Sequence, residues 1–311
     1  MKLKYIRLII SALLFIIVLS FLKWNDIGNA ILKSNIKILI FAFCLHIIGL
    51  LISVVRWDVL LRAVSIEKSI GKLLIIYWVS LFYNLFLPTS IGGDLVRVYD
   101  LNRSTGKLEG SIASVVMDRL TGMIVLLFIA LGAMVLNVRL YNQNLLLWTI
   151  IFLVCFIIFF FILIFSSSRK LLYYFIPSKI LGFIQKKMEQ VLNAFSYYRT
   201  NMRVLVIALI WGIMLQLNVI FYYYLIGRSL GIKLDFVHYC VAVPIIQVIT
   251  LIPVSLSGVG VREAATITIF AVYNVSSELA FSLSILGFIL ALIFNAFGGL
   301  FQAKVIKEIE V

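Results

Sequence analysis

Two arginines, Arg97 and Arg262, close two copies of one pattern. The first copy is Pro88-Thr89-Ser90-Ile91-Gly92-Gly93-Asp94-Leu95-Val96-Arg97 and the second is Pro253-Val254-Ser255-Leu256-Ser257-Gly258-Val259-Gly260-Val261-Arg262. Both read P-x-S-[IL]-[GS]-G-x-x-V-R, and the register extends to Leu87/Ile252 and Gly122/Gly287. A guanidinium presents a planar fork of donors that grips phosphate through two oxygens. Each arginine has a carboxylate close in sequence, Asp94 before Arg97 and Glu263 after Arg262. Proline removes a backbone donor and glycine admits angles other residues resist, so Pro88, Gly92, Gly93, Pro253, Gly258 and Gly260 are expected to break helices. Ser90 and Ser255 can bond the freed backbone groups, and helix ends at the breaks direct positive dipoles at an anion. The plainer alternative is that each charge pair neutralises itself or reaches the lipid headgroups.

A second constellation is Asp118-Arg119, set inside the apolar stretch 111–136. Ionised side chains at membrane depth are rare and face a bundle interior, a partner or a pathway. Adjacent residues cannot share one helix face, so each needs its own partner. One arrangement pairs Asp118 with Arg97 or Arg262 and leaves Arg119 for substrate; an interhelical structural ion pair is the alternative.

The elements that must position these residues follow from composition. The chain has 311 residues, 63% hydrophobic and only 13% charged, with a mean hydropathy of +1.14. Soluble domains carry about a quarter charged residues, so this chain belongs in a bilayer. A hydrocarbon core about 30 Å thick needs roughly 20 apolar residues per helix. Candidate segments are 5–22, 36–55, 72–88, 111–136, 145–165, 204–226, 236–256 and 281–301. The net charge of +14 lies in the short connections, as the positive-inside rule requires, and does not indicate nucleic acid. Cys44, Cys155 and Cys240 show no metal or disulfide spacing, His46 and His238 have no ligand cluster, and no Walker motif is present. No metal and no cofactor are expected.

Charge also sets the sidedness. Lys2, Lys4 and Arg7 place the N-terminus in the cytoplasm, and the connection with Arg56, Arg62, Lys68 and Lys72 lies on the same side. The stretch 166–203 holds Arg169, Lys170, Lys179, Lys186, Lys187, Arg199 and Arg203 against Glu189, the strongest cytoplasmic signal in the chain. Parity is kept if 72–88 enters, breaks and returns, and if 236–256 does so from the other face. The expectation is an all-α integral membrane protein, a polytopic helical bundle of eight apolar segments: about six full crossings plus two re-entrant broken helices, related as inverted repeats. Residues 1–137 would form the first part and 204–311 the second, with both termini cytoplasmic. Residues 178–198 alternate apolar and basic positions as an amphipathic linker helix on the inner leaflet.

Three stretches together carry a family resemblance: Asn84-Leu85-Phe86-Leu87-Pro88 through Arg97, Val116-Met117-Asp118-Arg119-Leu120, and Ile252-Pro253 through Arg262-Glu263-Ala264. They resemble the lysylphosphatidylglycerol synthase transmembrane family, also known as flippase-like domain proteins, over nearly the whole chain. The resemblance implies a membrane module that moves lipids between leaflets, aminoacylated phosphatidylglycerol in the fused synthases and polyprenyl-phosphate-linked or other lipids in stand-alone members. It also implies roles for Asp94, Arg97, Asp118, Arg119, Arg262 and Glu263. The fused synthases carry a soluble aminoacyltransferase domain after the membrane part, whereas this sequence stops at Val311. Lysyl transfer is therefore not expected.

The expected function is that of a non-enzymatic lipid translocator in the cell membrane, acting on a lipid with an anionic phosphate headgroup. Ser90, Asp94, Arg97, Asp118, Arg119, Ser255, Arg262 and Glu263 would line its path. Two alternatives stand beside it: a non-transporting membrane partner of a glycosyltransferase, or a membrane-embedded lipid-modifying enzyme, with homo-oligomerisation open in each case.

Overall fold

The computed structural model describes residues 23–85, 92–136, 194–251 and 258–302, with scattered positions between 147 and 158. Every regular element among them is helical: α1 (Trp24–Leu32), α2 (Ile36–Ala63), α3 (Ile70–Tyr83), α4 (Gly92–Thr105), α5 (Leu108–Leu136), α6 (Met202–Ser229), α7 (Phe236–Leu251), α8 (Val261–Ala271) and α9 (Ser277–Phe297), the last continued by a 3-10 turn at Gly298–Phe301. Four of these are long and apolar enough to cross a bilayer: Ile36–Ala63, Leu108–Val135, Met202–Ser229 and, with its 3-10 extension, Ser277–Phe301. The protein is an all-helical polytopic membrane protein. The expected segments 5–22 and most of 145–165 lie outside the described residues, as do Pro88, Ser90, Pro253 and Ser255.

The two elements expected to break are short. α3 has 14 residues and α7 has 16, roughly 21 and 24 Å at 1.5 Å per residue, less than the hydrocarbon thickness. Each ends ahead of its proline-glycine motif, and a new helix begins within it, α4 at Gly92 and α8 at Val261. The glycines do different work in the two copies. Gly258 and Gly260 sit in the turn ahead of α8 with φ of 78° and 84°, a region that L side chains resist. Gly92 and Gly93 instead open α4 as helical residues. A Cβ on Gly93 would stand 2.3 Å from the Ser80 carbonyl oxygen, so this glycine permits close backbone approach. Its N–H donates to Asn84 Oδ1 at 2.7 Å.

The chain divides into two compact units. One takes the described residues of 1–50, 78–93 and 217–304, and the other those of 51–77 and 94–216. In the first, α8 packs on α7 and α9, and α9 also meets α1, with Ile27 and Phe281 buried among Ile31, Ile267 and Ile285. Ser276 caps α9 by accepting from the Leu279 N–H. In the second, Trp57, Leu60, Leu101, Met117 and Tyr198 are buried. Residues 194–200 are helical, and Tyr198 donates its hydroxyl proton to the Leu60 carbonyl at 3.1 Å. The rest of the expected amphipathic linker lies outside the described residues.

Candidate functional site

In the second unit, three helices deliver charge to one buried place. α5 is apolar almost throughout, and its Asp118 is only 2% exposed. A lone carboxylate there would be prohibitively costly, so it draws partners. Arg56 of α2 donates its Nε–H to Asp118 Oδ1 at 2.7 Å. Arg97 of α4 donates from Nη1 to Asp118 Oδ2 at 3.1 Å, so both carboxylate oxygens are engaged. Arg97 Nη1 also stands 3.5 Å from Asp94 Oδ1. Arg119, one residue along α5 and on a different face, donates its Nε–H to Asp94 Oδ2 at 2.6 Å. The result is a chain of alternating charge, Arg56, Asp118, Arg97, Asp94 and Arg119.

Arg97 is the centre of that chain and is 2% exposed. Its guanidinium carbon lies 4.1 Å from the centroid of the Trp57 ring and 4.2 Å from that of Tyr77, so aromatic rings attract the cation from two sides. Trp57 is held in turn, donating its indole N–H to Ser114 Oγ at 3.3 Å. With Nη1 committed to carboxylates, Nε and Nη2 are buried and make no hydrogen bond among the described residues. These two nitrogens form the side-on fork that suits two oxygens of one oxyanion. Arg56 has an analogous orphan in Nη1. Gly122 of α5 and Gly212 of α6 leave it room, since Cβ atoms there would stand 3.3 and 3.7 Å from that nitrogen.

Arg262, at the matching motif position in the other unit, has quite different company. Its Nε donates to Glu263 Oε1 at 3.0 Å, and Nη2 donates to the same oxygen. Glu263 is fully buried. Its other oxygen accepts the Gly260 N–H at 2.6 Å, which closes the N-terminus of α8 in the manner of a capping box. Ser284 Oγ lies 3.3 Å from both the arginine and the glutamate, and the Phe288 ring covers the guanidinium at 4.3 Å.

Of the expected site residues, the structure thus brings Asp94, Arg97, Asp118 and Arg119 together in one unit and joins Arg262 to Glu263 in the other. Of the two partners considered for Asp118, Arg97 is the one found. Arg119 is bonded to Asp94. Sequence reasoning placed Arg56 in a cytoplasmic connection, but α2 continues to Ala63 and carries Arg56 into the interior at 4% exposure. The signal available was the unbroken apolar spacing on either side of Arg56-Trp57-Asp58. Among the described residues no group of three or more His, Cys, Asp or Glu side chains could hold a metal ion.

Comparison with known proteins gives the lineage. The family model of the lysylphosphatidylglycerol synthase transmembrane region matches residues 5–299. A UPF0104 membrane protein of Pyrococcus horikoshii is 24% identical, over 91% of this chain and 91% of its own. A UPF0104 membrane protein of Methanocaldococcus jannaschii is 23% identical, over 97% of this chain and 95% of its own. No solved structure matches the chain. With the model match running from the first apolar segment to the end of α9, the chain belongs to the lysylphosphatidylglycerol synthase transmembrane family.

Proposed function

We propose that this membrane protein moves a lipid with an anionic phosphate headgroup between leaflets, and that the Arg97 cluster is where the headgroup binds. One observation carries the reading: a buried guanidinium, stacked near Trp57 and Tyr77, keeps its two-donor fork without a partner among the described residues. A buried donor without an acceptor costs about 1–3 kcal/mol, and more when charged. An oxyanion would remove that cost, so the cluster is built to gain a ligand. The short α3 and α7, with described turns at 84–85 and 258–260, favour transport over simple anchoring, because non-helical backbone within a membrane protein is tolerated beside protein or a watery cavity. A role for Asp118 as a general base is disfavoured, since guanidinium groups occupy both of its oxygens.

The test is a leaflet-resolved assay in proteoliposomes with a fluorescent phospholipid. Headgroup exchange should exceed that of empty vesicles, and Arg97→Gln should remove most of the excess. Exchange no faster than in empty vesicles would sink the proposal.

A further inference from the structure

The unit that holds α9 contains four rings stacked in series: His46 of α2, Phe294 of α9, Trp78 of α3 and Phe301 of the 3-10 turn. Successive centroids lie 5.2, 5.1 and 5.2 Å apart, with interplanar angles of 18°, 19° and 29°. One end is fixed. The Trp78 indole N–H donates to the Phe294 carbonyl oxygen at 3.0 Å, and Gly298 lies so close to the Trp78 backbone that a Cβ there would clash. The other end is His46, which also meets the Tyr222 ring of α6 edge-on at 4.6 Å. A single imidazole therefore occupies the place where α2, α6 and α9 meet.

Nothing at that place compensates a charge. Among the described residues His46 Nε2 is buried without a hydrogen bond, and no charged side chain acts on the ring. Its own helix offers Phe43 and α9 offers Phe294, neither of which titrates. From α6 comes the Tyr222 phenol, which is committed to the Gly287 carbonyl at 2.7 Å. Arg262, whose charge reaches that phenol, is engaged by Glu263. The neighbouring Leu45 carbonyl already accepts from Asn218 at 3.1 Å. We propose that His46 is a proton-operated latch on this seam: neutral, it packs as the last ring of the stack and keeps α9 against α2; protonated, it leaves the seam for water and lets α9 part from α2. Imidazole is the side chain whose ordinary titration falls between pH 5 and 8. As a neutral ring it stacks like any other aromatic, but the imidazolium gains a charge and a second N–H that need partners the seam does not supply. The proton comes from bulk water and returns to it, so no other bond is made or broken. The seam and the Arg97 cluster belong to different units, and the inference does not rest on what Arg97 binds.

The test follows the separation of α2 from α9 in the full-length protein in neutral-lipid nanodiscs. Ile48 and Ile293 are 47% and 42% exposed and take spin labels through Ile48→Cys and Ile293→Cys, with Cys44, Cys155 and Cys240 replaced by alanine. Between about pH 8 and about pH 4, a range that covers imidazole titration with a margin in acid, pulsed electron resonance should show a second population of distances appear. Its mean should be longer by about 2 Å or more, the scale of a helix shift. His46→Phe keeps a ring and takes no proton, so the longer population should vanish at every pH. His46→Gln, polar and neutral, should likewise show no pH response, whichever separation it adopts. The chain has only two histidines, so nitrogen-15 resonances of labelled histidine report each ring's charge, and the His46 midpoint should coincide with that of the distance change. His238→Gln should leave the response intact. A single unchanged distance across the range would overturn the latch, as would a response that survives both His46 variants or one whose midpoint departs from that of the His46 ring.

Discussion

Arg97 and Arg262 end the same ten-residue motif, yet one shares two carboxylates with two other arginines and the other owns a carboxylate outright. The difference extends along the register that links the copies. Where the first has Asp94, Asp118 and Arg119, the second has Val259, Leu283 and Ser284. Only the arginine is common to both. In the second copy Glu263 satisfies the fork of Arg262 and caps a helix with its other oxygen, so the arrangement is closed without any ligand. In the first, Asp94 and Asp118 are divided among three guanidiniums, and among the described residues the fork of Arg97 has no acceptor. A duplicated motif can therefore hold a scaffold in one copy and a binding function in the other.

The sharpest way to break that comparison is to remove the carboxylates. Asp118→Ala strands two buried arginines and should cost about 3–5 kcal/mol. Glu263→Ala strands one arginine that keeps Ser284 and some exposure, and should cost less, about 2–3 kcal/mol. Thermal unfolding in detergent, followed by circular dichroism, would show the order, and a reversed order would contradict the idea that Asp118 is the more heavily shared group.

The glycines offer a second contrast of about 1–3 kcal/mol on each side. Gly93→Ala drives a methyl into the Ser80 carbonyl and should destabilise by overpacking. Gly260→Ala forces a side chain onto φ 84°, ψ −50° and should destabilise by backbone strain. Ser80 is on α3, so shortening its side chain cannot relieve the first clash. A Gly93→Ala protein with native unfolding temperature would show that the close approach is not needed.

A smaller effect is expected from exchanging the cations. Arg97→Lys loses the fork and its stacking on the rings, and phosphatidylglycerol binding should fall ~10-fold, about 1.4 kcal/mol. Arg262→Lys keeps a charge beside Glu263 and should leave binding within about twofold. Equal losses would make the two copies functionally equivalent and remove the distinction.

The last contrast concerns pH. Outside the spanning segments, α4 buries Asp100, where the second copy has Ala265. Burial raises its carboxyl from 3.8 to about 6, with Arg103 opposing the shift. The folded protein then holds this proton more tightly than the unfolded chain does. The resulting stability is fully present below pH 3.8 and is lost as pH rises to about 6. Asp100→Asn should flatten this part of the stability profile, while Ala265→Ser should leave it unchanged.

Much of this was legible in the sequence because membrane helices obey strong rules. Long apolar runs marked the spanning helices, and the repeated motif marked both arginines and the helix boundaries around them. Asp118 stood out because a carboxylate in such a run has no innocent place to be. Arg56 did not, because a length criterion ends the run near residue 55 and a buried arginine then counts as an ordinary cytoplasmic charge. Trp57 and Tyr77 were hidden for a different reason: aromatic residues are common in membrane helices, and nothing local distinguishes two that flank a distant cation. Gly92 and Gly93 stand at the start of α4, and the close approach of Gly93 to Ser80 was not legible, since glycine serves both flexible turns and tight contacts.

The Trp57–Arg97 stack also makes the cluster optically addressable. A positive charge over an indole perturbs the energy of its excited state, and an anion on the far edge of that guanidinium would screen the perturbation. In a variant with Trp57 as its only tryptophan, emission would then report ligand arrival directly. The same ring that steadies the arginine would be a built-in gauge of its charge balance.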